Sequence, residues 1–184
     1  DLGLNPQQLA DHISWDPGAA DVARALSELL DAPLLLSGYS RLVIDCNRPL
    51  QSPESIAAQS DGVTIPGNRN LSQEHREQRI ATFFQPYHQA IDQLLDARRQ
   101  QPTLLLSIHS FTPVMKGLQR PWHMGVAYWH DQRLAERLHD VLIQRGDINV
   151  GYNQPPHPSF FLGDGMLSPP HPRISVRTRP DGTR

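Results

Sequence analysis

"PTLLLSIHSFTPV", Pro102 to Val114, opens apolar and turns polar at Ser107, His109 and Ser110. The run is short and nearly continuous, without the strict alternation of a half-exposed strand, so it reads as a buried strand of the parallel type. Its neighbours supply the other half of such a fold. Upstream, "LSQEHREQRIATFFQPYHQAIDQLLDARRQQ" is a long helical pattern with Ser72 as its N-cap. His75 stands where the acidic partner of a capping box would, and Pro86 is expected to kink or break the helix. Downstream, "WHMGVAYWH" is a strand candidate and "DQRLAERLHDVLIQRG" an amphipathic helix stopping at Gly146. "INVGYNQP" follows as a short strand and turn. Strands alternating with helices predict an α/β fold, a sheet with helices packed on its faces.

Further out, "NPQQLADHISWDPGAADVARALSELLDA" reads as helix, turn, helix, broken at Asp16-Pro17-Gly18. Val22, Leu26, Leu29 and Leu30 make one apolar stripe on the second helix. "APLLLSGYSRLVIDCN" offers two strand-like runs, Leu34–Leu36 and Leu42–Ile44. Residues 48–71 are rich in Pro, Ser, Asn, Asp and Gly and read as a long loop, a length usually functional or mobile. Residues 1–154 are expected to form a single domain. Residues 155–184 hold seven prolines and little pattern beyond "RISVRT", the composition of a poorly ordered tail.

The chain has 184 residues, 38% hydrophobic and 20% charged, enough for one sizeable core. A net charge of −2 gives no broad basic field, so nucleic acid is not the expected partner. No apolar run approaches the ~20 residues that cross a bilayer, and no signal peptide opens the chain, so a cytoplasmic location is expected. The single cysteine, Cys46, allows no internal disulfide; it could be a nucleophile, but its place in an apolar run reads as a small core residue.

Four places carry candidate chemistry. In "YSRLVIDCNRPL", Tyr39 to Leu50, an apolar run ends in Asp45, Cys46, Asn47 and Arg48, with Arg41 at its start. In open α/β sheets ligands gather at the carboxyl ends of strands. An arginine presents a planar fork that matches a carboxylate. The competing reading is a surface turn with an Asp45–Arg48 ion pair. His109, at the end of its strand, is placed as a zinc ligand could be, or as a hydrogen-bonded core histidine. Asp16 and His12 are four apart in "HISWDPGA". Asp16 could bind metal or cap the following helix, and Pro17 favours the cap. The loop "GNRNLSQ" and the pair Trp122–His123 in "RPWHMG" could line a pocket, with turn formation and packing as the simpler alternatives. No GxSxG elbow, P-loop, HExxH or CxxC is found.

Seven segments together, "LADHISWDPGAADVA", "YSRLVIDCNRP", "SDGVTIPGN", "PYHQAIDQLLDAR", "SIHSFTPV", "RPWHMGV" and "VGYNQP", resemble the N-formylglutamate amidohydrolase family, in its order, over roughly residues 1 to 155. The resemblance implies a three-layer mixed sheet with helices on both faces, similar to the zinc carboxypeptidases and aspartoacylases. It implies zinc-dependent hydrolysis of a small N-formyl or N-acyl acidic amino acid, such as N-formylglutamate to formate and glutamate in histidine degradation. It assigns Asn47 and Arg48 to the substrate carboxylate, Arg41 to polarising the scissile carbonyl, and His109 and Asp16 to zinc. The family's earlier His ligand would precede Asp1, and its C-terminal Glu motif is replaced by "RISVRTRPDGTR", with no Glu after Glu136. The expectation is a chain truncated at its start and altered, as by a frameshift, at its end. The alternative function is then a non-catalytic relic or binding module that keeps the Asn47–Arg48 grip without metal or general base.

Overall fold

Asn5 starts the first helix, α1 (Pro6–Ala10), by a reciprocal cap. The Asn5 side chain accepts from the Gln8 N–H at 2.9 Å, and Gln8 accepts from the Asn5 N–H at 3.0 Å. Two orphan amides are satisfied at once, and Pro6 occupies the position where no amide is needed. The computed structural model describes residues 1–115, 117–128, 132–153 and 173–178. The chain divides into two compact units. One holds Asp1–Trp15 and Leu35–Ala97. The other holds Asp16–Leu34 and the described residues from Arg98 onward.

In the first unit the loop of residues 48–71 is built from short pieces. These are a 3-10 turn at Pro53–Ile56, the antiparallel pair β1 (Gln59–Ser60) and β2 (Val63–Thr64), and a 3-10 turn at Pro66–Asn68. Ser72 then caps α3 (Gln73–Arg79), accepting from the His75 N–H at 3.2 Å. Pro86 does not break the helix that follows. A π-turn at Ile80–Phe84, with the Gln85 N–H bonded to the Ile80 carbonyl, leads directly into α4 (Gln85–Ala97). The widened turn admits one extra residue just where the proline ring would crowd the preceding turn.

The strands expected at Leu34–Leu36 and Leu42–Ile44 are not strands. Leu42 and Ile44 are buried all the same, at 2% and 3% exposure, in two separate clusters. Leu42 packs with Leu4, Ile13 and Ile65, and Ile44 with Ile56 and Phe84. Their backbone finds partners other than a neighbouring strand. The Val43 N–H bonds the Ser40 carbonyl at 3.0 Å. Asn68 Nδ2 donates to the Leu42 carbonyl at 2.8 Å, and Arg79 Nη1 to the Val43 carbonyl at 2.9 Å. A buried backbone must be paired, and here side chains of the following loop and helix do the pairing. Asn68, itself 7% exposed, also donates to the Ala57 carbonyl at 2.7 Å and accepts from Arg79 at 2.7 Å. The polar loop "GNRN" is therefore a structural tie. Gly67 is needed there, since a Cβ would fall 2.9 Å from the Leu2 Cα.

The second unit is built on a four-stranded mixed sheet. Its strands are β3 (Leu105–Ser110), β6 (Met124–Tyr128), β7 (Val150–Tyr152) and β8 (Arg173–Thr178), in the order β3-β8-β6-β7. β8 runs parallel to β3, pairing Leu105 with Arg173 and Ser110 with Thr178, and antiparallel to β6. It falls within the segment expected as a tail, the rest of which lies outside the described residues. β6 and β7 are parallel, joined by the crossover helix α5 (Arg133–Ile143). Ala135, Leu138 and Leu142 recur at helical spacing and pack with Val126, Met124, Val150, Leu106 and Ile108. A small hairpin, β4 (Val114–Met115) with β5 (Leu118–Gln119), separates β3 from β6. Helix α2 (Ala19–Leu30) packs against β3. Its buried residues are Ala19 and Ala23, while Leu29 and Leu30 of the expected stripe are 82% and 59% exposed. The small side chains let the first turns approach the strand closely, and among the described residues nothing covers the last turn. No helix among the described residues is long and apolar enough to cross a membrane.

Candidate functional site

Two groups of candidate residues stand out, one in each unit. In the first, Asp45 organises the turn. Its carboxylate Oδ2 accepts from Arg41 at 2.6 Å through Nη2 and at 3.1 Å through Nε. Its Oδ1 accepts from the Asn47 N–H at 2.8 Å. Its own N–H bonds the Ser55 carbonyl at 2.7 Å, and its carbonyl accepts from the Arg48 N–H at 3.1 Å. An Asp that bonds the amide two residues on builds an Asx-type turn, which fixes where Asn47 and Arg48 sit. Asp45 is 6% exposed. The ion pair at this turn is thus Arg41–Asp45, not the Asp45–Arg48 pair that spacing suggested. Arg48 is instead held by Glu54, 3.1 Å from its Nε, and by the Asn47 carbonyl, 3.1 Å from Nη1. Asn47 and Arg48 leave a turn, not the end of a strand.

Cys46, between Asp45 and Asn47, packs with Ile44 and Phe84. Burial pushes its thiol up to about 11, with the Asp45 charge adding to the effect and a hydrogen bond to Ser37 opposing it. A thiol so protonated is a poor nucleophile near neutral pH, which agrees with a core role.

In the second group, Asp16 and His109 meet across 93 positions of sequence, with Oδ2 2.7 Å from Nδ1. On the other side of the ring, Ser107 Oγ lies 2.9 Å from Nε2. Asp16 is not the helix cap that Pro17 favoured. The cap position is Gly18, in the left-handed region at φ +75°, and no side chain caps the helix there. That leaves the Asp16 carboxylate for His109, while its backbone carbonyl accepts from the Ala19 N–H at 3.2 Å. Side chains on a strand alternate, so Ser107 and His109 share the face of β3 opposite Leu106 and Ile108, which enter the α5 core. The two side chains of this pair are about four-fifths buried, at 19% exposure for His109 and 22% for Asp16.

A carboxylate oxygen and an imidazole nitrogen are donor types zinc takes; at 2.7 Å the two are hydrogen-bonded to each other. The pair fits zinc as two of its ligands. Among the described residues no cluster of three or more His, Cys, Asp or Glu suited to a metal is present.

The remaining candidates are structural. His12 is paired with Asp11 at 2.5 Å and Asp61 at 3.1 Å, and does not join Asp16. Its hydrogen bond lowers the Asp11 carboxyl below the usual range. Trp122 packs against Gly151, where a Cβ would fall 3.0 Å from the indole ring. His123 accepts from the Asn149 N–H at 2.9 Å, fixing the start of β6 beside β7. Sequence reasoning missed Asp45, Glu54 and Ser107 as organisers. Asp45 had a signal in its spacing from the arginines of the same segment, and Ser107 in its two-residue spacing from His109 on a strand.

A family model described as N-formylglutamate amidohydrolase matches residues 1–161. The chain is also similar to the crystal structure of gene product Atu2144 from Agrobacterium tumefaciens, at 34% identity and a TM-score of 0.86, over 98% of this chain and 73% of that one. Two local similarities are of another kind. Over 46 residues, 24% of the chain, it is 48% identical to rhamnogalacturonan endolyase YesW of Bacillus subtilis, and over 41 residues, 21% of the chain, 46% identical to rhamnogalacturonan exolyase YesX. Each spans only 7% of the lyase's length.

Proposed function

The chain belongs to the N-formylglutamate amidohydrolase family, and from that membership we propose that it hydrolyses the amide of an N-formyl or N-acyl acidic amino acid, with N-formylglutamate giving formate and glutamate. The fold this reading takes is the zinc-carboxypeptidase-like three-layer sheet. The observation that carries it is the turn built by Asp45, which holds an Asn and an Arg side by side with a second arginine at its root.

Each residue has a distinct task in this reading. Arg48, steadied by Glu54 at Nε, meets the substrate carboxylate, and Asn47 adds an oriented donor. Arg41 stabilises the negative charge that gathers on the carbonyl oxygen as the tetrahedral intermediate forms. Its pairing with Asp45 holds the guanidinium in place before substrate arrives. Asp16 and His109 would hold zinc. When bound, that metal supplies Lewis acidity that brings the pKa of water close to neutral.

The test is formate release from zinc-supplemented protein, with N-formylglutamate and its uncharged diamide compared. Arg48→Ala loses a charge-assisted hydrogen-bonding partner, about 1.5–3 kcal/mol. KM for the acidic substrate should rise roughly 10- to 150-fold, and that for the diamide should barely move. Equal effects on both would remove Arg48 from carboxylate recognition.

The donor count favours a second reading. A hydrolytic zinc site uses about three protein ligands, and the described residues bring two together. A binding module that retains Asn47 and Arg48 would bind N-formylglutamate without turnover. Calorimetry on the same preparation separates the two: heat of binding with no formate supports the module, and turnover excludes it.

A further inference from the structure

The imidazole of His109 is engaged at both nitrogens by the chain itself. Nδ1 faces Asp16 Oδ2 at 2.7 Å, and Nε2 faces Ser107 Oγ at 2.9 Å. We infer that Ser107 is a positioning residue for the metal-binding pair, its hydroxyl holding Nε2 so that Nδ1, beside Asp16, is the nitrogen presented to zinc. This rests on the zinc reading proposed above.

Geometry comes first. Ser107 and His109 are two apart on β3, so their side chains leave the same face of the strand. Ser110 is adjacent in sequence but projects to the other face by the same alternation. A ring held at one nitrogen only can turn about its Cβ–Cγ bond and offer either nitrogen. A ring held at both is fixed in orientation. Histidines that bind metal through one nitrogen usually donate the other N–H to an oxygen, and that partner orients the ring.

The choice of a hydroxyl has its own logic. A serine can donate or accept, and its hydrogen rotates to suit. With Nδ1 carrying a proton toward Asp16, Nε2 is an acceptor and Ser107 donates to it. With Nδ1 given to a metal, Nε2 keeps the proton and donates to Ser107. One side chain thus serves both states by turning its O–H, without movement of a heavier atom. A carbonyl oxygen would serve only the second state, and a methyl group neither. Ser107 is itself exposed, so water can replace part of what the hydroxyl provides. The effect belongs at the lower end of the 10- to 100-fold range for such partners, about 10-fold.

The experiment is a zinc titration of the full chain, stripped of metal and competed against a chromophoric chelator. Wild type, Ser107→Ala and Ser107→Thr are compared. In parallel, the ring nitrogens of His109 are read by NMR in the metal-free proteins. Ser107→Ala should bind zinc about 10-fold more weakly and shift the His109 Nε2 resonance. Ser107→Thr keeps the hydroxyl and should restore both. Equal zinc affinity of the alanine variant and wild type overturns the inference. A threonine variant as weak as the alanine one also overturns it, because the loss would then come from the strand and not the hydroxyl. Wild type that takes up no zinc sinks the zinc reading itself. That failure is distinguishable, since the NMR comparison still reads the Ser107–His109 bond without metal.

Discussion

Replacing Asp45 tests the turn at Arg41–Arg48 without any ligand. Its carboxylate accepts two hydrogen bonds from Arg41 on one oxygen and one from the Asn47 N–H on the other. Hydrogen bonds to a charged group contribute about 1.5–3 kcal/mol each, so three of them, added without correction, would suggest about 5–9 kcal/mol. Two facts reduce that figure. The Arg41 side chain is 36% exposed, so water takes over much of its solvation once the partner is gone. Its two bonds also converge on a single oxygen and act as one pair. The Asn47 N–H is half-buried, and leaving it unpaired costs about 1–3 kcal/mol. Asp45→Ala should therefore destabilise by about 2–4 kcal/mol. Asp45→Asn can keep a carbonyl on the Asn47 amide while losing the charge, and should cost about 1–2 kcal/mol. The assay is urea unfolding followed by far-UV circular dichroism, with hydrogen exchange at the Asn47 amide as a local reading. Because the chain has two compact units, the exchange rate decides if the transitions do not coincide. Alanine and asparagine variants of equal stability would refute the Asx-turn reasoning. Either one matching wild type to within about 0.5 kcal/mol would refute the whole assignment.

Phe84, 1% exposed beside Ile44 and Ile56, should cost about 3–5 kcal/mol when cut to alanine, measured by the same unfolding assay. Cys46 gives a pH-dependent readout. Its thiol is raised from 9.0 to about 11 by burial, so the folded state favours the neutral form. That stability is fully present below the unfolded pKa and is lost as pH climbs through the folded one. At pH 8 the folded protein should carry roughly a hundredfold less thiolate than an unperturbed cysteine, so native alkylation by iodoacetamide should be slow and should jump on adding urea. Rapid native labelling at pH 8 would place the thiol outside the core.

What could be read in the sequence was what repeats within a few residues. The β3 run, the α5 stripe and the short β7 strand each announce themselves by local composition, and the structure forms all three. The Leu42–Ile44 run failed by the same logic. Three apolar residues say that the side chains are buried, not what pairs the backbone. In the structure those carbonyls are taken by Asn68 and Arg79, 26 and 36 positions further on. No local pattern carries that information. The π-turn before Pro86 is similar. The proline signals a conflict with helix geometry, and widening the turn by one residue resolves that conflict as well as breaking the helix does.

Asp16 shows most clearly where local reasoning stops. Asp-Pro-Gly before an apolar helix is what a capped helix looks like, and that reading needs only three residues. A ligand reading needs a partner 93 positions away, which spacing cannot supply. The structure sets the cap reading aside through Gly18. With the residue after Pro17 in the left-handed region, the cap position passes to a glycine that has no side chain to cap with. The first turn of α2 is left to its backbone bonds, while the Asp16 carboxylate pairs with an imidazole. A cap contributes about 1 kcal/mol, and that stabilisation is forgone here. Forgoing it is understandable if the carboxylate serves the site on β3, because a side chain turned back to cap the helix could not also hold His109. Gly18→Ser makes that trade-off measurable. A serine side chain could cap α2, but the residue would have to adopt φ +75°, which costs a residue with a Cβ about 1–2 kcal/mol. The substitution should therefore leave helix stability nearly unchanged and leave the Asp16–His109 pair intact. Under the zinc reading proposed above, loss of zinc binding in that variant would mean that the turn, and not the carboxylate alone, sets the site.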